Sequence, residues 1–133
     1  MTRVFGIDIR KGNIRSQTVS PHFSLVCVED GKVVFEEKEV SIPKLFRMLR
    51  QERPDILAVD SVQEIAPSDK ELFSFLSAMP AETKLVQVTG DGIKMESLPS
   101  VAARYNLKFD KTNPAEEAKA SALVASFGGG YEV

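Results

Sequence analysis

Cysteine is nearly missing from this chain. Cys27 is the only one among 133 residues, so an internal disulfide has no second partner, and a zinc-finger type site lacks its thiolates. Histidine is just as scarce: His22, beside Pro21 at the head of an apolar stretch, reads as a packing or surface residue and not as a general base. Neither a cationic, apolar leader nor a run of about 18 apolar residues occurs, so secretion and a membrane span are not expected and the cytoplasm is the default address. A strong charge of one sign is missing too. The 17 Lys and Arg stand against 19 Asp and Glu, a net charge of -2, so the field of the whole molecule does not draw in nucleic acid. Internal repeats and low-complexity segments are likewise not found.

What the chain does have is enough apolar material for one domain of ordinary size, 43% of its residues. Cys27, inside Phe23-Ser24-Leu25-Val26-Cys27-Val28, is expected to fill the core. Charge is distributed less evenly than its sum implies. Up to residue 22 the chain carries Arg3, Arg10, Lys11 and Arg15 against Asp8 alone, and Glu29, Asp30, Glu36, Glu37 and Glu39 follow. A basic lip beside Asp8 is the reading of that asymmetry.

Apolar alternation and turn signals give the order of elements. A first strand is expected over 3–9, then a long polar loop over 10–22, of the length that carries function in compact domains. Strands over 23–29 and 32–40 are joined by Asp30-Gly31, which supplies the positive φ angles of a tight hairpin. Ser41 caps a helix to about Glu52, with Ile42, Leu45, Phe46 and Leu49 as its apolar stripe and Pro54 as its stop. A fourth strand covers 55–60. Ser68-Asp69-Lys70-Glu71 has capping-box spacing and opens a second helix with Leu72, Phe73, Leu76 and Met79 at helical intervals. A fifth strand covers 84–88, a short helix spans about 96–105 with Pro99 in its first turn, and a last helix runs from Asn113-Pro114 to about Phe127. Phe35, Phe46, Phe73 and Phe75 are read as core and not as a platform for stacking bases.

Three strands in a meander followed by helix, strand, helix, strand and helix imply an α/β fold. Its five-stranded mixed sheet has the order 3-2-1-4-5, with helices on both faces in three layers. Residues 1–127 form the domain, and 128–133 are expected as a Gly-rich flexible tail or a linker to a further domain.

Two acids stand out because of their surroundings. Asp8 lies inside Val4-Phe5-Gly6-Ile7-Asp8-Ile9, and Asp60 closes Ile56-Leu57-Ala58-Val59-Asp60. On neighbouring central parallel strands their carboxylates share one edge of the sheet, at the strand junction where ligands of open sheets bind. Two buried carboxylates repel, and a divalent cation that prefers oxygen ligands, Mg or Mn, resolves the conflict. The final helix offers a third acid. Glu116 is accounted for as a capping-box residue, whereas Glu117 is not, and alanines at 115, 118, 120, 122 and 125 leave this helix thin enough to approach the sheet closely. Structural explanations stand beside these: Asp60 as the start of a turn with Ser61, Asp91 as a turn former between glycines, Glu117 as a favourable charge at a helix N-terminus.

These same segments, together with Glu116-Glu117-Ala118-Lys119-Ala120-Ser121-Ala122, resemble the ribonuclease-H-like superfamily in its RuvC/YqgF-type branch. Arg53-Pro54-Asp55-Ile56-Leu57-Ala58-Val59-Asp60 and Lys84-Leu85-Val86-Gln87-Val88-Thr89-Gly90 are most similar to an uncharacterised archaeal group of predicted RuvC-like nucleases. The resemblance covers the whole chain. It implies a ribonuclease-H-like fold and a Mg- or Mn-dependent nuclease that hydrolyses phosphodiester bonds of structured nucleic acid. Asp8, Asp60 and Glu117 become the catalytic and metal-ligating acids, with Glu64, Asp91 and Glu116 as secondary candidates. Arg10, Lys11 and Arg15 become the contacts to the phosphate backbone. The expected partner is nucleic acid, DNA or RNA, with a homodimer admitted and no membrane. Departures from the pattern are glutamate at 117 where aspartate is usual, aspartate at 60 where many relatives carry glutamate, and only Asp91 where YqgF-like proteins carry Asp-Glu-Arg. A catalytically degenerate module that binds nucleic acid or protein is the rival expectation. A fragment of an actin-like or sugar-kinase ATPase is a third, for which a second lobe and a Gly-rich phosphate loop are not seen.

Overall fold

The structure, a computed structural model, describes residues 2–9, 22–89, 97–107 and 114–133, leaving aside the side chains of Glu64 and Pro114. The first apolar string forms β1 (Arg3–Ile9), and the Asp30-Gly31 turn joins β2 (His22–Glu29) to β3 (Lys32–Ser41). Asp30 and Gly31 take φ values of 53° and 78°, the left-handed conformations that a tight hairpin demands. The rest of the order is α1 (Ile42–Glu52), β4 (Ile56–Val59), a 3-10 turn at Val62–Glu64, α2 (Asp69–Ala78), β5 (Lys84–Gln87), α3 (Leu98–Arg104), α4 (Pro114–Ser126) and β6 (Tyr131–Glu132).

These strands make one mixed sheet of order β3-β2-β1-β4-β5-β6. β1 pairs with β2 antiparallel and with β4 parallel, and β4 pairs with β5 parallel. The expected five-strand order is therefore contained in a six-stranded sheet. The correction comes from the C-terminus: residues 128–133, expected as a flexible tail, turn back and pair antiparallel with β5, with Val86 opposite Glu132 and Gln87 opposite Tyr131. Val133 N–H donates to Leu85 C=O at 2.9 Å. The triple glycine works as a turn here, since Gly128 and Gly130 take φ values of 89° and 83°.

Alternation along the central strands divides the interior into two cores. Val4, Ala58 and Val86 pack with α3 and α4 on one face, whereas Phe5, Ile7, Leu57, Val59 and Leu85 pack with α1 and α2 on the other. Helix ends follow the local chemistry. Ser41 Oγ accepts from Lys44 N–H, Ser68 Oγ from Glu71 N–H and Ser97 Oγ from Ser100 N–H, and Arg53 closes α1 in a left-handed conformation. On α2 one aromatic departs from expectation. Phe75 and Met79 are buried, but Phe73 is 73% exposed, because two residues carry it about 200° round the helix from Phe75. Phe35, Phe46 and Phe75 do pack on the core.

Arg3 also leaves the expected basic lip. Its guanidinium pairs with Glu29 at 3.0 Å and Glu52 at 2.9 Å. Its backbone N–H donates to the Asp55 carboxylate at 2.9 Å, tying the starts of β1 and β4 together. This places Arg3 at the end of β1 away from Asp8.

Candidate functional site

Asp8 and Asp60 meet where β1 and β4 end. The parallel register runs Val4 to Ile56, Gly6 to Ala58 and Ile7 to Val59. The paired positions end there; continued one residue, the same register brings Asp8 and Asp60 to neighbouring backbone positions, one strand spacing of about 4.8 Å apart. Asp8 continues the face of Val4 and Gly6, and Asp60 that of Ile56 and Ala58, which is the face covered by α4. Asp8 is only 4% exposed. On its other side the antiparallel register sets Ser24 opposite it, and the buried Ser24 hydroxyl donates to the Lys38 carbonyl at 3.4 Å.

The helix that covers this face comes unusually near because both surfaces are stripped of side chain. A Cβ added to Gly6 would overlap the Ala118 carbonyl oxygen and lie 2.7 Å from Ala122 Cβ. Glycine on the strand and alanine on the helix are thus required together, as the thin helix was expected to allow. The first turn of α4 brings Glu117, partly buried, toward the same edge. Its charge is felt there: burial first, and Glu117 second, hold the Asp60 carboxyl above the usual carboxylate range, against a hydrogen bond from Thr89 that lowers it. One turn beyond Glu117, Ser121 is fully buried, and its hydroxyl has no hydrogen-bond partner among the described residues.

Residues that sequence reasoning did not single out fix Asp60 in place. The ladder between β4 and β5 ends with Val88 N–H donating to Val59 C=O at 2.9 Å. Thr89 Oγ then donates to the Asp60 carbonyl at 2.5 Å, and Gln87 Oε1 accepts from Val62 N–H at 3.0 Å. Gln87 Nε2 donates to the Thr89 carbonyl at 2.9 Å. Both side chains are 3% exposed. The signal available in the sequence was polarity at 87 and 89 in an otherwise apolar strand.

Of the other expected residues, Glu116 lies partly buried in the first turn of α4. Glu64 belongs to the 3-10 turn directly after Asp60, and its side chain lies outside the description. Arg10, Lys11, Arg15 and Asp91 lie outside the described residues. His22 begins β2, partly buried, and Cys27 is wholly buried in the core. Burial pushes the Cys27 thiol up to about 11, which makes it inert as a nucleophile at neutral pH.

Hard, anionic carboxylate oxygens and a buried acid held above its ordinary range are what a small divalent cation would relieve, so the donors fit Mg or Mn in kind. As they stand they do not close a ligand set. Among the described residues no group of three or more His, Cys, Asp or Glu is arranged to hold a metal ion. Among the described residues, too, no helix is long and apolar enough to cross a membrane.

No protein-family model, curated protein or solved structure matches the chain.

Proposed function

We propose that the chain is a ribonuclease-H-like domain of the RuvC type, a metal-dependent nuclease acting on phosphodiester bonds of structured nucleic acid. The observation that carries this reading is the β1–β4 register, which sets Asp8 beside Asp60 on the α4 face. Glu117 is near enough to act on Asp60 by charge. In this reading Asp8, Asp60 and Glu117 would hold Mg or Mn through their carboxylates. Bound there, such a cation would supply an activated water and charge stabilisation for the leaving oxygen of a phosphodiester. The chain's own part is positioning. In this reading β1 and β4 would carry two of the acids, α4 the third, and Arg10, Lys11 and Arg15, which follow β1 in the chain, would take the phosphate backbone. With a net charge of -2, attraction of the polyanion has to be local.

The test is cleavage of branched, duplex and single-stranded DNA and RNA in Mn²⁺, in wild type and in Asp8→Asn and Asp60→Asn. We expect cleavage that both substitutions lower by at least about 100-fold. Metal-free cleavage, or cleavage unchanged in both variants, contradicts the reading. One observation favours a second reading, a degenerate module of the same fold that binds nucleic acid or protein without metal: no three-acid group stands ready among the described residues. That reading predicts nucleic-acid or protein binding indifferent to Mn²⁺ and no cleavage.

A further inference from the structure

Past the end of β4 three successive peptide groups are held by β5. The Val59 carbonyl takes the last ladder bond, from Val88 N–H at 2.9 Å. The Asp60 carbonyl takes the Thr89 hydroxyl at 2.5 Å. The amide of the peptide that follows, Val62 N–H, goes to Gln87 Oε1 at 3.0 Å, and Gln87 Nε2 ties the arrangement shut on the Thr89 carbonyl at 2.9 Å. An acid whose neighbouring peptides are all pinned retains only its two side-chain torsions. The direction of support matters as well. Gln87 continues the face of Leu85, the one packed against α1 and α2, whereas Asp60 continues the face under α4. Gln87 therefore holds the chain after the acid through the backbone, from the face of the sheet opposite α4.

We propose that Gln87 and Thr89 are positioning residues for Asp60, holding the two peptide groups that follow it, while the Val88 N–H holds the one before, so that its carboxylate is preset for a divalent cation. This rests on the metal-binding reading above, and names which residues outside the ligand set that reading depends on. A buried glutamine is usually explained as a polar group that found partners, and this one has found them. Here, however, Gln87 Oε1 and the Thr89 hydroxyl each take a peptide group that follows the acid, and Gln87 Nε2 ties the two supports to each other through the Thr89 carbonyl, which is the pattern of an outer shell that orients a ligand.

The experiment is Mn²⁺ titration calorimetry on the whole chain in wild type, Gln87→Met, Thr89→Val and Thr89→Ser. It is accompanied by melting curves and by amide exchange at Val62, Leu57 and Ala58. Gln87→Met keeps the length of the side chain and loses both bonds. Thr89→Val keeps the shape and loses the hydroxyl, and Thr89→Ser keeps the hydroxyl. We expect wild type to bind, Gln87→Met and Thr89→Val to bind at least about 10-fold more weakly, and Thr89→Ser to restore the affinity. Exchange should quicken at Val62 in Gln87→Met and stay unchanged at Leu57 and Ala58. Binding within twofold of wild type in both Gln87→Met and Thr89→Val, or an equal loss in Thr89→Ser and Thr89→Val, overturns the positioning role and leaves the metal reading intact. Wild type that takes no Mn²⁺ at millimolar concentration overturns the metal reading, and this inference with it.

Discussion

At the scale of single residues, Gly6 and Asp60 carry opposite kinds of constraint. Gly6 is constrained by space: a methyl group there runs into the Ala118 carbonyl and the Ala122 side chain, and the obstacle is helix backbone that cannot rotate aside. Gly6→Ala is expected to lower stability by about 1–3 kcal/mol or more, read as a lower melting temperature. A melting temperature equal to wild type would mean that α4 does not lie against the strand as described. Asp60 is constrained by charge. Its folded carboxyl is held above the 3.8 of an ordinary Asp, so between those two values the native state binds more proton than the unfolded state. Stability contributed by this group is accordingly lost as pH rises through that window. In metal-free buffer Asp60→Asn should therefore melt higher than wild type at neutral pH and lose that part of the pH dependence. An Asn variant that melts lower at neutral pH contradicts it. Asp8 and Asp60 were singled out in the sequence because each is an acid within or at the end of an apolar string, and Glu117 because capping does not account for it. Gln87 and Thr89 were not, since the groups they serve are backbone atoms of another strand, and only pairing brings them together.

At the scale of elements, what the sequence made plain was local and what it hid was the far end of a long-range pairing. The caps at Ser41 and Ser68 and the Asp30-Gly31 turn each need only their immediate neighbours, so their chemistry was readable in place. On α2 the apolar positions are crowded enough to allow two stripes, and the side of the helix that faces the sheet selects Phe75 and Met79 over Phe73. β6 was hidden because three glycines look like the start of a tail until β5 offers an open edge. Gly130 then lies so near β5 that an added Cβ would stand 2.6 Å from the Gln87 carbonyl. Ending the chain at Gly130 should cost about 1–3 kcal/mol, from the lost β5–β6 bonds and the packing of Val133 on the core. Chemical denaturation of the shortened chain checks this. An unchanged midpoint would show that the last strand contributes nothing.

At the scale of the whole molecule, a mixed sheet with α1 and α2 on one face and α3 and α4 on the other lets the parallel strands β1 and β4 end side by side under a thin helix. Asp8 and Asp60 lie at the ends of these strands, and Glu117 in the first turn of α4 acts on Asp60 by charge. The strand order β3-β2-β1-β4-β5 followed from the order of elements and the handedness of parallel crossovers. That is why the adjacency of β1 and β4 could be foreseen without a structure, while the approach of α4 to them could not. Helix-to-sheet spacing is set by side-chain volume along the whole interface, from Gly6 to Ala122, and no single motif encodes it. The measurement that bears most directly on the account is anomalous diffraction from a crystal soaked in Mn²⁺. The account predicts a peak between the ends of β1 and β4, about 2 Å from carboxylate oxygens of both Asp8 and Asp60. No peak at that edge, or carboxylates turned away from each other, would contradict it.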